Sequence, residues 1–115
     1  MGERLSLSIS TETRDDAHVV SVVGELDVYT SPRLKEILDG FGKDCGCVVV
    51  DLSEVKFIDS TALGVLVAGC QLIQLNGGQF RLVVDDPFLL KIFHITGFDG
   101  LLSILPSLDD ALSAC

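Results

Sequence analysis

The sequence predicts an α/β fold in which helices flank a mainly parallel sheet that begins with an N-terminal hairpin. Short runs of β-branched residues alternate with segments of helical periodicity, a pattern typical of parallel sheets covered by helices. The opening segment instead alternates polar and apolar residues, which indicates strands with one exposed face. The chain has 115 residues, of which 48% are hydrophobic, so we expect one domain, residues 1–115, with an ordinary core.

Two strands are predicted before the first helix. Leu5, Leu7 and Ile9 alternate with serines, and this period of two indicates a strand with one face in water. A turn at residues 14–16 separates it from a second strand at 19–23, whose β-branched run indicates deeper burial. We expect the two strands to pair as a hairpin.

Helices and strands alternate after that hairpin. A first helix is predicted over 32–41, with Thr30 or Ser31 at its N-cap and a proline in its first turn. The apolar run at 48–52 is typical of a strand covered on both faces. A long helix follows at 61–75. The remaining predicted elements, which bring the helices to about four, are a buried strand at 80–84, a helix from 86 to about 94, a weak strand at 101–105 and a helix from 107.

Charge and hydropathy exclude several classes of partner. The net charge is −9, from 17 acidic and 8 basic residues, which disfavours nucleic acid and anionic membrane surfaces. No apolar run reaches the ~18 residues that a bilayer span needs, and no signal-peptide pattern is present. We therefore expect a cytoplasmic protein that is a monomer, with neither nucleic acid nor membrane as a partner.

The four cysteines raise the question of a metal site. Cys45 and Cys47 form a C-x-C pair, which on a strand would point both side chains to one face. The further ligands of a structural zinc site are missing from the sequence. We expect reduced thiols throughout, including Cys70, with Cys115 able to form disulfide-linked dimers in air. No metal or cofactor is predicted.

Asp59, Ser60 and Thr61 stand where a buried strand meets the start of the long helix. Ligands gather at such points in open parallel sheets. All three are ordinary N-cap residues, and a cap needs no further function. One cap is sufficient, however, so a cap at Asp59 would leave the Ser60 hydroxyl free to react. A phosphate on Ser60 would be accepted by the helix N-terminus and would repel a docked apolar or acidic surface.

The helix after Ser60 is apolar almost all round. One apolar stripe is ordinary core. A second stripe, roughly 100–120° away, either is buried as well or contacts a partner. Its members are Ala62, Val65, Gly69 and Leu72.

Three other residues admit more than one interpretation. Asp27 at a strand end could simply form a turn to Thr30. Tyr29, the only tyrosine, could pack over Ser60 or lie on the surface. A nucleophile pair of Ser60 and His94 would also need an oriented base and an oxyanion hole, and neither appears at a recognisable spacing. We therefore predict that the protein is not an enzyme.

Several motifs together resemble a known family. They are Gly-Glu-Leu-Asp at 24–27, Val-Val-Val-Asp-Leu at 48–52 and Phe-Ile-Asp-Ser-Thr-Ala-Leu-Gly at 57–64, with further likeness at 77–78, 82–84 and 95–98. In this order they resemble the STAS domain of bacterial anti-sigma factor antagonists, over nearly the whole chain. One departure is Ala62, where the family often has glycine.

The resemblance implies a partner switch. The unphosphorylated protein would bind an anti-sigma factor that is itself a serine kinase, and would thereby free a sigma factor. The kinase would phosphorylate Ser60, with Thr61 as a secondary candidate, and a PP2C-type phosphatase would reset the protein. Asp27 and Asp59 would lie beside the switch. The expected partner contacts are Tyr29, Thr61, Ala62, Val65 and Gly69.

An alternative keeps the fold and changes the function. A constitutive STAS binding subunit of a transport complex or sensory scaffold would use the same helix face. The two hypotheses differ in whether phosphate on Ser60 changes the affinity for the partner.

Overall fold

The computed structural model describes residues 7–43 and 45–115, which form a five-stranded sheet with helices on both faces. The strands are β1 (Leu7–Arg14), β2 (Ala17–Leu26), β3 (Cys47–Ile58), β4 (Gln79–Val83) and β5 (Ile104–Leu105). The helices are α1 (Ser31–Asp39), α2 (Ser60–Leu75), α3 (Pro87–Thr96) and α4 (Leu108–Ser113), with a 3-10 turn at Phe98–Gly100. The predicted order of strands and helices is confirmed. The predicted start of the first strand at Leu5 lies outside the described residues.

The strands lie side by side in chain order, from β1 to β5. β1 and β2 form the antiparallel hairpin, and every other neighbouring pair is parallel. This confirms a mainly parallel sheet with an N-terminal hairpin. Because parallel strands run the same way, β2 to β5 all end at one edge of the sheet, and a helix begins there after each of them.

Two apolar cores lie on the two faces of the sheet. The larger core is covered by α1, α2 and α3, whereas the smaller one is covered by α4. β3 contributes to both, since Val48 and Val50 face the larger core and Val49 faces the smaller one. All three valines are fully buried, as predicted for a strand covered on both faces.

β3 continues well beyond its predicted end at residue 52. Its pairing register with β2 slips twice, each time with one extra residue on β3. Leu52, Val55 and Ile58 are therefore buried at a spacing of three, where a regular strand would bury every second residue. β4 accompanies β3 only as far as Asp51. The far half of β3 thus pairs with β2 alone and carries the start of α2 past the end of β4.

Cys45 and Cys47 do not share a face, contrary to the prediction from their spacing. β3 begins at Cys47, and Gly46 before it has a φ of 81°, a left-handed conformation that interrupts strand alternation. Cys45 packs against the larger core, whereas Cys47 belongs to the smaller one.

A disulfide joins Cys47 to Cys115, with the two Cα atoms 5.7 Å apart. The prediction of reduced thiols throughout is therefore wrong for this pair, although Cys45 and Cys70 are free. The two cysteines are 68 positions apart in the sequence, and only the fold brings Cys115 to the start of β3. No local pattern in the sequence could have indicated it.

The two helices α1 and α2 approach each other closely at Gly69. A β-carbon placed on Gly69 would lie 2.6 Å from Leu38 Cδ1 and 3.4 Å from Leu38 Cβ. Leu38 is itself buried, so it has little room to move aside. Gly64 on the same helix is exposed, and a β-carbon there would have no neighbour within 4 Å outside the adjacent helix backbone.

Alanine at these two glycines is expected to act in opposite directions on the free energy of unfolding. Gly64→Ala should stabilise the protein by about 0.5–1 kcal/mol, because alanine is the better helix former. Gly69→Ala should gain the same amount but lose about 1–3 kcal/mol by overpacking against Leu38. Urea unfolding of both variants isolates the free-energy cost of the contact with Leu38, since the gain in helix propensity is common to them. Equal stabilities would contradict the close packing.

Candidate functional site

The predicted site around Ser60 lies at the sheet edge where β2 and β3 end. A loop at 27–30 leads from β2 to α1, and Asp59 alone connects β3 to α2. The amide of Asp59 donates to the carbonyl of Leu26 at 3.1 Å, which joins the two strand ends. The two connections are therefore neighbours, although more than 25 residues separate them along the chain.

Asp59 uses both carboxylate oxygens to hold this edge together. Oδ1 accepts a hydrogen bond from the Ala62 amide at 2.9 Å, which makes Asp59 the N-cap of α2. Oδ2 accepts from the Val28 amide at 2.9 Å and so binds the loop after β2. One side chain thus fixes the start of the helix relative to the neighbouring loop.

Asp27 organises that neighbouring loop from within. Its Oδ1 accepts from the amides of Tyr29 at 2.9 Å and Thr30 at 3.0 Å, the pattern of an Asx turn. The Thr30 hydroxyl accepts from the Asp27 amide at 2.9 Å and donates to the carbonyl of Glu25 at 2.8 Å. The turn from Asp27 to Thr30 that the sequence allowed is present, and Thr30 serves this loop and does not cap α1 with its side chain.

Ser60 is the first residue of α2, and it is exposed. Among the residues that the structure describes, no group forms a hydrogen bond with its hydroxyl. Thr61 is exposed as well. The capping bond goes from Asp59 to Ala62, so the amides of residues 60 and 61 point outward from the helix start without an acceptor in the described chain. The site therefore presents a free hydroxyl beside free N–H groups at the positive end of the helix dipole.

Exposed apolar side chains surround this edge. Tyr29 is 87% exposed, so it lies on the surface and does not pack over Ser60. Val28 and Phe57 are 51% and 44% exposed and come from the same loop and from the end of β3. Sequence reasoning named neither as a partner contact, although Phe57 is the first residue of the quoted motif at 57–64. Tyrosine and phenylalanine, the residue types of Tyr29 and Phe57, are enriched at protein interfaces.

Part of the expected partner surface is buried against α1. Ala62 has no exposed surface, and Gly69 lies against Leu38. Ala62 is therefore removed from the surface on which the sequence predicts a partner, and Gly69 is buried as well. Val65 is half-buried and, with Thr61 and Gly69, borders an open groove of about 350 Å³ between the two helices.

His94 and Ser60 stand at opposite ends of their helices. His94 is in the last turn of α3, whereas Ser60 begins α2, and both helices follow parallel strands. His94 Nδ1 instead lies 3.0 Å from Asp99 Oδ2 on the surface. The nucleophile pair considered from the sequence therefore does not form.

Neither a cluster of metal-ligating side chains nor a helix able to span a membrane occurs in the part of the chain that the structure describes. Across 7–43 and 45–115, no group of three or more His, Cys, Asp or Glu side chains could hold a metal ion. None of the helices in these two ranges has the length and apolar character that crossing a membrane requires.

Comparison with known proteins places this geometry in a family. The family model described as the STAS domain matches residues 8–111. The anti-sigma-B factor antagonist of Listeria monocytogenes is 34% identical over 102 residues, which cover 87% of this chain and 90% of the relative. The chain belongs to the STAS-domain family of anti-sigma factor antagonists. The resemblance found in the sequence is thereby confirmed.

A solved structure supports the same assignment for this STAS domain. An anti-sigma factor antagonist from Mycobacterium paratuberculosis superposes with a TM-score of 0.86 at 35% identity, covering 95% of this chain and 93% of that chain. The fold of this STAS domain is therefore that of a solved antagonist along nearly its whole length.

More distant structures share the fold alone. The phosphorylated form of the Bacillus cell fate determinant SpoIIAA has a TM-score of 0.67 at 16% identity, covering 93% of this chain and 98% of that chain. A sulfate transporter family protein from Wolinella succinogenes has a TM-score of 0.78 at 19% identity, covering 90% and 87%. The same fold thus occurs both in a phosphorylated cell fate determinant and in a sulfate transporter family protein.

Proposed function

We propose that this protein is an anti-sigma factor antagonist that acts in the cytoplasm and is controlled by phosphorylation of Ser60. The unphosphorylated form binds an anti-sigma factor serine kinase, and the sigma factor held by that kinase is released. The kinase then phosphorylates Ser60 and the complex separates. A PP2C-type phosphatase removes the phosphate and restores binding. The protein contributes a binding surface and no catalysis of its own.

The observation that carries this proposal is the free hydroxyl of Ser60. Asp59 makes the capping bond to the Ala62 amide, so the structure of α2 does not depend on Ser60. Ser60 is exposed at the first position of the helix, where a kinase can reach it. Thr61 is the secondary acceptor, since its hydroxyl is exposed beside that of Ser60.

The proposed partner surface is the exposed part of this edge. Tyr29, Thr61 and Val65 remain from the contacts predicted by sequence, and Val28 and Phe57 join them on the basis of their exposure. Ala62 and Gly69 are left out because both residues are buried. Aromatic side chains such as Tyr29 and Phe57 are enriched in the energetically important parts of interfaces.

The charge of the phosphate explains why phosphorylation would release the partner. A phosphate adds about −1.5 to −2 charges at neutral pH. It would stand beside the carboxylate of Asp59, one of whose oxygens already binds Val28 in the proposed contact surface. A partner docked over Val28 and Tyr29 would have to desolvate that charge without pairing it, which is costly in free energy. Phosphorylation therefore opposes docking without any need to refold the protein.

The alternative is a constitutive subunit of a transport complex or sensory scaffold. The fold shared with a sulfate transporter family protein favours this second candidate, though at 19% identity. The proposed contact surface would be the same. The affinity for the partner would then not depend on the charge at Ser60.

A pull-down from the native cytoplasm tests the proposal. Wild type, Ser60→Asp and Ser103→Asp serve as baits, and the captured partners are quantified by mass spectrometry. Ser103 is an exposed serine just before β5, the outermost strand, which β4 separates from β3, so it is a matched control for the added charge. We expect an ATPase of the anti-sigma kinase type on wild type and Ser103→Asp, and at least tenfold less of it on Ser60→Asp.

The alternative makes a different prediction for the same baits. If all three capture the same partners equally, or if only transport subunits are captured, the phosphorylation switch is wrong. Ser60 would then be an exposed helix-start residue with no part in control.

A further inference from the structure

The smaller core of this protein depends on one short helix. α4 has only 6 residues, too few to be stable as an isolated helix. Its residue Ala111 is fully buried, and Leu108 and Leu112 pack partly buried against Val49 and Val83 of the sheet. The position of α4 therefore depends on contacts that the rest of the molecule makes with it.

One bond caps α4, and two more join its C-terminal end to the sheet. The Ser107 hydroxyl caps the helix by accepting from the Asp110 amide at 3.1 Å. Arg81 Nη2 on β4 donates to the carbonyl of Ala114 at 3.1 Å, just after the helix. The third bond is covalent, since the disulfide ties the terminal Cys115 to the first residue of β3. This last bond is the one of the three that a change in redox conditions can break.

We propose that Cys47 and Cys115 form a reversible thiol–disulfide exchange site that sets how firmly α4 is docked on the smaller core. The oxidising reactant is a low-molecular-weight disulfide such as oxidised glutathione, and the corresponding thiol reduces the bond again. This site is independent of the switch at Ser60, because Cys47 begins β3 and Ser60 follows the far end of that strand.

The exposure of the two cysteines determines which of them reacts first. Cys115 is exposed, whereas Cys47 is only 6% exposed and lies under α4. The Cys115 thiolate attacks the small disulfide first, forms a mixed disulfide and releases one small thiolate. The Cys47 thiolate then attacks the Cys115 sulfur, which forms the internal disulfide and releases the second small thiolate. The two protein thiols lose two protons and two electrons, and the small disulfide accepts them as two thiols.

The two other cysteines provide internal controls. Cys45 is free and partly buried, and it packs on the opposite side of the sheet from Cys47. Cys70 is free and buried within α2. Burial raises the pKa of the Cys70 thiol, and the nearby charge of Arg81 offsets only part of that rise. Neither cysteine lies where it can take the place of Cys115.

The experiment compares the folded protein after treatment with oxidised glutathione and with an excess of reduced glutathione. Thiols are counted under denaturing conditions, and disulfides are located by peptide mapping without reduction. We expect 2 free thiols in the oxidised protein, those of Cys45 and Cys70, and all 4 cysteines as thiols after reduction. The bond closes a loop of 68 residues, so reduction should lower the melting temperature by about 8 °C or more.

Serine variants test whether the bond between Cys47 and Cys115 causes this change in melting temperature. Cys115→Ser, at an exposed position, should abolish the difference in melting temperature between the two glutathione treatments. Cys45→Ser should keep the whole difference. Reduction should also speed proteolysis at the C-terminus in wild type and leave Cys115→Ser unchanged. A mapped bond between Cys45 and Cys47, a bond between two chains, or a disulfide that reduced glutathione cannot open without denaturant would each overturn the proposal.

Discussion

Phosphorylated on Ser60, the protein is expected to lose at least about 100-fold in affinity for its anti-sigma factor kinase, which corresponds to ~2.7 kcal/mol. The loss follows from the position of the phosphate, which would add charge beside Asp59 within the proposed contact surface. A docked partner would bury that charge without a counter-ion. Removal of a comparable charge from water costs several kcal/mol when it stays unpaired.

The fold should survive the same modification. The Ser60 hydroxyl is exposed and holds no neighbour in place, so nothing is broken when phosphate is attached. The outward amides of residues 60 and 61 and the helix dipole favour an anion at this position. We therefore expect the free energy of unfolding to change by less than about 1 kcal/mol on phosphorylation.

Calorimetric titration of the purified kinase with the phosphorylated and unphosphorylated protein measures the loss of affinity. The titration contains ADP, so that no phosphate is transferred during the measurement. Ser60→Ala should bind as wild type does and should resist phosphorylation. Thr61→Ala should remain a substrate, which separates the two hydroxyl groups. Equal affinities of the phosphorylated and unphosphorylated forms would show that charge at Ser60 does not control binding.

The order of elements was predictable because each of them follows a local rule. β-branched runs, helical periodicity and capping residues each involve neighbours within a few positions, so they can be read along the chain. The predicted end of β3 at residue 52 was wrong. Beyond that residue, two bulges change the spacing of buried residues from two to three. Bulges are set by pairing with β2, which a single strand sequence does not contain.

The candidate site was predictable in part for the same reason. Asp59 as the cap of α2 and the turn from Asp27 to Thr30 are local features, and both are present. The burial of Ala62 and Gly69 is not local, because it depends on which face of α2 meets the larger core and α1. The disulfide of Cys47 and Cys115 depends on tertiary structure alone.

Substitution of Asp59 is expected to be among the most destabilising changes at the surface of this protein. Asp59→Ala removes the cap of the Ala62 amide, which typically contributes ~1 kcal/mol, and also the bond to the Val28 amide. The second bond lies at the surface and should add about 1 kcal/mol more. We therefore expect the free energy of unfolding to fall by about 2 kcal/mol, measured by urea denaturation.

Asp59→Asn separates the two bonds. Asparagine is as good an N-cap as aspartate, so its side-chain oxygen can still accept from the Ala62 amide. Its amide group then faces the Val28 amide, and two donors cannot bond to each other. This variant should lose about half of the free energy that Asp59→Ala loses.

Hydrogen exchange at individual amides distinguishes the two variants most directly. The Val28 amide should exchange faster in both, because both lose the acceptor for it. The Ala62 amide should exchange faster only in Asp59→Ala, since asparagine keeps the cap. Unchanged exchange at Val28 in both variants would mean that Asp59 does not hold the loop after β2. The start of α2 and that loop would then be free to move separately, and the surface proposed to meet the kinase would not be a single rigid unit.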